Sequence, residues 1–129
     1  MAQPPCFPPT VLTDVPDDIE LGFDETFGPV VVLEVVADRE AAIERANSSA
    51  FGLTAAVLAG DTEEGRAVAA RLHAGIVHIN DQPVNDEPQM PFGGVKDSGW
   101  GRFGVGFAAE EFTELQWMTT RHDKREFPF

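Results

Sequence analysis

Residues 91–102, PFGGVKDSGWGR, set the tightest limit on how this chain can fold. Gly93, Gly94, Gly99 and Gly101, with Gly104 just beyond, crowd around one lysine and one arginine. Glycine loses more backbone freedom on folding than any other residue, so the run cannot sit inside a regular helix or strand. It must be an ordered loop or a series of turns. The polar stretch 81–90, with Pro83 and Pro88, leads into it. Together they make an irregular region longer than the roughly 12–15 residues that loops in compact domains usually reach, a length that marks either function or disorder.

Upstream, the pattern alternates. Residues 1–9 carry four prolines and read as an extended arm. Residues 10–12 form a short strand. Residues 30–36, VVVLEVV, are a nearly continuous β-branched run of the kind found in strands buried on both faces. Asp38 is placed to cap a helix whose apolar stripe is Ala41, Ala42, Ile43 and Ala46, ending at 47–49. Residues 53–59 read as a further strand. Asp61 caps a second helix over 62–73, with Ala67, Val68, Ala69 and Leu72 inward, Ala74-Gly75 as its C-cap, and His73 where the helix dipole favours a cation. Residues 76–79 are the next strand. The order predicts an α/β fold with an open, mostly parallel β-α-β-α-β sheet. Residues 107–111 read as a short helix, and 112–120, FTELQWMTT, alternate apolar and polar side chains as a final strand with an exposed edge.

Composition narrows the function. A net charge of -13 with scattered basic residues argues against a nucleic-acid surface. No apolar run approaches the ~20 residues of a membrane span, and the opening MAQPPCFPP lacks the zones of a signal peptide. The single cysteine, Cys6, cannot form an internal disulfide, which fits a cytoplasmic setting. The three histidines have no metal-ligand spacing, so no metal site is expected.

Two motifs bear on chemistry. Residues 99–104 match G-x-G-x-x-G, the dinucleotide fingerprint, yet Lys96-Asp97-Ser98 stand where that mechanism needs a buried strand. Residues 24–29, DETFGP, place acids beside an aromatic and a Gly-Pro turn just before the strongest strand. They can hold ligand hydroxyls while the ring stacks, or simply form a turn with solvated acids and a core phenylalanine. Cys6 lies in the proline-rich arm, with no histidine near it in sequence, and does not read as a nucleophile.

Taken in order, these segments resemble the aldehyde dehydrogenase superfamily. The resemblance rests on residues 25–29, Arg45-Ala46-Asn47, Phe51-Gly52-Leu53 with Thr54-Ala55, GIVHIN at 75–80, PFGGVKDSG at 91–99 with Gly101-Arg102, and Phe112-Thr113-Glu114. It runs from about residue 7 to the C-terminus, and the loop at 80–90 is most similar to members acting on aromatic aldehydes such as benzaldehyde or vanillin.

The resemblance implies a division of the chain into the arm at 1–9, part of a catalytic domain at 10–111, an oligomerisation strand at 112–120 and a tail at 121–129. It implies that Glu25 holds the nicotinamide ribose and that Phe27 packs near the nicotinamide of NAD or NADP. Val84 and Asn85 would line the aldehyde pocket. Arg102 and Glu114 would form a charge pair near the dimer interface, joined by Leu115 and Trp117 on the oligomerisation strand. The family's nucleophilic cysteine, glutamate base and dinucleotide-binding units lie upstream of the part represented here. The expectation is a C-terminal segment that neither binds cofactor nor oxidises aldehydes by itself. Its partner would be a second copy or the N-terminal part, and a self-associating or complementing module is the rival reading.

Overall fold

The computed structural model describes residues 6–16, 19–22 and 24–128, so the first half of the expected arm and the last residue of the tail lie outside the described residues. Strand β1 (Thr10–Thr13) runs parallel to β2 (Val30–Leu33), with Thr10 opposite Val30 and Thr13 opposite Leu33. Burial alternates along both strands, so only one face of the pair is covered. Strand β2 stops at Leu33, short of the expected Val36, because β1 supplies no partner beyond Thr13. Val35 beyond it is exposed.

Helix α1 (Arg39–Asn47) starts where the sequence predicts. Asp38 is extended, and its carboxylate accepts from the Ala41 amide at 2.9 Å, giving one of the unpaired N-terminal amides a partner. Ile43 is buried, with 4% of its surface exposed, while Ala42 and Ala46 of the predicted stripe face solvent. The covered face of the helix is therefore narrower than its apolar composition suggests.

The expected strand over 53–59 is two pieces, β3 (Phe51–Gly52) and β4 (Thr54–Val57). Helix α2 (Thr62–Ala69) follows, with the Asp61 carboxylate accepting from the Glu63 amide at 2.7 Å. It ends before the predicted His73. The next amides, Arg71 and Leu72, donate to carbonyls three residues back, a tighter turn than the α-helix makes. The helix C-cap is Ala70 rather than Ala74-Gly75, and His73 lies outside the helix. Ala67 is exposed, and it is Gly65 that faces the sheet, where a β-carbon would stand 2.7 Å from Ile79 Cγ2. A small residue there lets the helix lie close on β5 (Ile76–Ile79).

Strand β5 is parallel to β4, with Thr54 opposite Ile76 and Val57 opposite Ile79, so β4-α2-β5 is a complete crossover unit. Strand β6 (Val95–Lys96) pairs antiparallel with β3, and helix α3 (Phe107–Glu111) closes the described elements. The α/β class stands. Its sheet is divided, however: among the described residues the strands form three two-stranded pairs, and β2 is not hydrogen-bonded to β4 or β5. Residues 112–120 form no strand. An alternating segment becomes a strand only beside a neighbour that completes its ladder, and the backbone of 114–120 forms no such bonds among the described residues.

Ion pairs fasten α1 on both sides. Arg45 grips Glu34 with two hydrogen bonds of 2.6 and 2.5 Å, and Arg71 grips Glu40 at 2.7 and 2.5 Å. Hydrogen bonds from these guanidinium groups hold both carboxylates below the ordinary range. A carboxylate depressed in the folded state contributes stability above its unfolded value and loses it as pH falls through the folded value. Glu40→Gln should therefore lower the melting temperature at pH 7, and the gap to wild type should close as both are melted at successively lower pH through the carboxylate range.

Candidate functional site

The glycine-rich loop is held by Asn47 and Lys96. Asn47 ends α1, and its side chain joins the two helices: Nδ2 donates to the Arg71 carbonyl at 2.8 Å, and Oδ1 accepts from the His73 amide at 2.7 Å. Its own carbonyl, with that of Ser49, accepts from Lys96 Nζ, each at 2.9 Å. The last carbonyls of a helix lack partners within it, and a lysine from a distant loop supplies two hydrogen bonds here. Lys96 takes a left-handed backbone, φ 54°, which a non-glycine residue holds only under constraint. The Nζ anchor and the β3–β6 pairing provide it.

Close backbone contact does the rest. A β-carbon on Gly75 would collide with the Gly93 carbonyl, and one on Gly93 would stand 2.6 Å from the Gly101 carbonyl. Ser98 Oγ accepts from the Gly52 amide at 2.9 Å, and Phe92 and Phe103 exchange backbone hydrogen bonds of 3.0 and 2.7 Å. Within the fingerprint the Gly99 and Phe103 amides are spent on the Lys96 and Phe92 carbonyls. A strand does precede it, contrary to the sequence reading, but β6 is only the two residues Val95–Lys96, not the long buried strand that the dinucleotide mechanism needs. Arg102 is also turned inward: its Nη1 donates to the carbonyls of Gly94 at 2.9 Å and Gly101 at 2.6 Å.

Two cavities flank this framework. The first, about 640 Å³, is lined by Asp24, Glu25, Ser49, Thr54, Asp97 and Ser98 among others. Its lining holds carboxylates and hydroxyls but no lysine or arginine, a donor and acceptor set suited to a hydroxyl-rich ligand. The second, about 390 Å³, lies along Gly75, Ile76, Val77 and His78 of the β5 segment and the facing residues 85–87 and 90–92. The β4–β5 pair joins the two: Thr54 lines the first cavity, Ile76 opposite it lines the second, and Thr54 Oγ1 donates to the Pro83 carbonyl at 2.9 Å. Asn80 turns the chain from β5 into this loop with φ 57°, while its Oδ1 accepts from the Ala59 amide at 2.7 Å.

The structure divides the residues singled out in the sequence. Glu25 lines the first cavity, whereas Phe27 stands outside its lining and is 93% exposed. Asn85 lines the second and donates from Nδ2 to Asp81 at 3.0 Å, whereas Val84 is 79% exposed and outside it. Glu114, Leu115 and Trp117 are exposed, and Arg102 gives its hydrogen bonds to the loop rather than to Glu114. Asn47, Lys96, Thr54 and Ser98 lie in the motifs that carry the resemblance but were given no role from the sequence. The interleaving of Lys96 and Ser98 with close-packed glycines was the available signal. His78 also emerges here, as its Nε2 is the one buried side-chain nitrogen or oxygen without a hydrogen-bond partner among the described residues. No cluster that could hold a metal ion, and no helix long and apolar enough to cross a membrane, occurs among the described residues.

Comparison with known proteins matches this arrangement to one family. The model of the aldehyde dehydrogenase family matches residues 2–118. The chain is 42% identical over 121 residues to benzaldehyde dehydrogenase YfmT of Bacillus subtilis (strain 168), covering 94% of this chain and 25% of that protein. It is 46% identical over 120 residues to vanillin dehydrogenase of Pseudomonas fluorescens, covering 93% and 25%. The crystal structure of a salicylaldehyde dehydrogenase from Pseudomonas putida G7, complexed with salicylaldehyde, superposes with a TM-score of 0.90 at 38% identity, covering 100% of this chain and 27% of that one. The chain spans about a quarter of the length of these relatives.

The close packing around Asn47 and Lys96 makes a direct prediction for stability. Lys96→Met leaves two part-buried carbonyls unpartnered and should cost about 1.5–3 kcal/mol. Gly75→Ala drives a methyl into a backbone carbonyl that cannot swing aside, and should cost at least about as much. Urea denaturation followed by circular dichroism measures both.

Proposed function

The chain belongs to the aldehyde dehydrogenase family, and from that premise we propose that it forms the C-terminal part of the catalytic domain of an NAD(P)-dependent enzyme that oxidises aromatic aldehydes to acids. The observation that carries the reading is the pair of cavities on the two sides of β4–β5. One is rimmed by Glu25 and hydroxyls, the other is walled by Asn85, Asp86, Glu87 and His78 together with apolar side chains. The likeness to benzaldehyde and vanillin dehydrogenases supports the aromatic substrate class.

In this reading Glu25 accepts hydrogen bonds from the ribose hydroxyls of the cofactor, in a cavity whose lack of basic groups suits a sugar and not a pyrophosphate. Phe27, exposed and outside that cavity's lining, would pack near the nicotinamide, which would accept the hydride when bound. Asn85, with Val84 beside it, borders the aldehyde, and Lys96 and Asn47 hold both cavities at fixed separation. Cys6 is exposed in the proline-rich arm and takes no catalytic part. The nucleophilic cysteine and the general-base glutamate belong to residues outside this sequence. Arg102 supports the loop at the subunit interface, and Glu114, Leu115 and Trp117 meet a neighbouring subunit there.

The purified chain with NAD+ and benzaldehyde should give no aldehyde-dependent NADH. Mixing it with the upstream portion of a benzaldehyde dehydrogenase relative should restore turnover, and Glu25→Gln in the mixture should raise KM for NAD+. Turnover by the chain alone would contradict the reading, as would a stable mixed complex with no turnover.

A second reading, a self-associating module, is favoured by one specific feature. Leu115, Trp117 and Met118 lie exposed on residues 114–120, whose backbone has no ladder partner among the described residues, and Phe112 at the end of α3 is exposed beside them, an arrangement that invites pairing between chains. Light scattering after size exclusion should find species larger than a monomer, reduced by the double substitution Leu115→Lys and Trp117→Lys. A monomer at all concentrations sinks this reading.

A further inference from the structure

The cavity along β5 is lined by apolar and acidic residues together. Ile76, Met90 and Phe92 furnish a surface for an aromatic ring, while Asp86 and Glu87 line the same space with no lysine or arginine in the wall. The Gln89 amide donates to the Glu87 carboxylate, and the amide of Asn85 donates to Asp81, so the acidic segment is tied down by its own side chains. His78 is the cavity's other titratable group, and the two carboxylates outnumber it. We propose that Asp86 and Glu87 set the substrate class by charge: the cavity admits uncharged or cationic aromatic aldehydes and excludes those bearing a second, carboxylate group.

The proposal rests on the reading of this cavity as the aldehyde side of the enzyme, and it goes further by giving two residues a discriminating role. A ring held against Phe92 and Met90 shares the cavity with the polar residues 85–87. An anion there meets two like charges; both carboxylates are exposed, so the repulsion acts through solvent and is open to screening by salt. A neutral hydroxyl meets acceptors it can donate to. Rejection by like charge, rather than tighter contact with the preferred ligand, is a common basis of specificity.

Alcohols of matched shape test this on the chain itself without covalent side reactions. The probes are 4-methylbenzyl alcohol, 4-(aminomethyl)benzyl alcohol and 4-(hydroxymethyl)benzoate, titrated by saturation-transfer NMR in low salt at pH 8. The neutral and cationic probes should bind at least about tenfold more tightly than the benzoate. The double substitution Asp86→Asn and Glu87→Gln should shrink that ratio to about threefold or less and leave the affinity of the neutral probe nearly unchanged. Raising the salt to about 1 M, where screening acts within about 3 Å, should narrow the ratio in the wild type. Circular dichroism confirms that the variant keeps its fold. Equal binding of benzoate and neutral probe by the wild type overturns the proposal, and so does a ratio unmoved by the double substitution. Binding of none of the probes removes the cavity as a ligand site, an outcome separate from the reconstituted turnover that tests the family reading.

Discussion

A helix that ends in the middle of a fold leaves carbonyls that need partners, and in this chain that need is met from far along the sequence. Lys96 Nζ reaches the carbonyls of Asn47 and Ser49 at the end of α1, while the Asn47 carboxamide takes the Arg71 carbonyl and the His73 amide beyond α2. The ends of both helices and the glycine-rich loop are thereby fixed at one junction. The rest of the loop follows from that anchor. Lys96 can keep its left-handed backbone because its ammonium is held, and the turn beyond it delivers Ser98 to the Gly52 amide. With the loop pinned, the backbone of Gly93 leaves no room for a side chain on Gly75, and that of Gly101 leaves none on Gly93.

Much of this fold was legible in the residues. Asp38 and Asp61 cap their helices, because a carboxylate ahead of a periodic run has a clear task at a helix N-terminus. Strand β5 lies where the β-branched residues put it. The end of α2 was not legible, since the turn after Ala69 depends on Asn47, more than twenty residues earlier. The length of β2 was hidden for a similar reason: VVVLEVV states a preference for extended backbone, but the extent of β1 decides how much of it pairs. Residues 112–120 show the same rule in its strongest form. Their alternation is sound, but no described segment pairs with them, and the Phe112 and Thr113 amides turn back to α3.

The site was legible in part. Glu25 and Asn85 each reach a cavity wall, while Phe27 and Val84, their near neighbours, turn outward. Sequence position alone does not separate such neighbours when the chain between them is irregular. Short motifs mark the segment, and for Asn85 the Thr54 bond to the Pro83 carbonyl and the Asn80 turn set the course of the loop that carries it. The G-x-G-x-x-G match at 99–104 is the clearest case of a pattern without its mechanism. Glycine spacing satisfies the pattern, yet Gly101 sits against the Glu111 carboxylate, a neighbour that repels phosphate. In the proposed enzyme the loop therefore acts as a strut between the ribose side and the aldehyde side.

Native-state hydrogen exchange tests that role most directly. The Phe92, Asp97 and Phe103 amides donate to Phe103, Ala50 and Phe92 carbonyls, and the Ile76 amide donates to Leu53 within the β4–β5 unit. If the loop is a packed strut anchored through Lys96, the three loop amides should exchange with the same opening free energy as Ile76, and Lys96→Met should lower all of them together. Loop amides that exchange at the rate of free peptide while Ile76 stays protected would contradict the account. That result would make the glycines a mobile connection rather than the framework of the site.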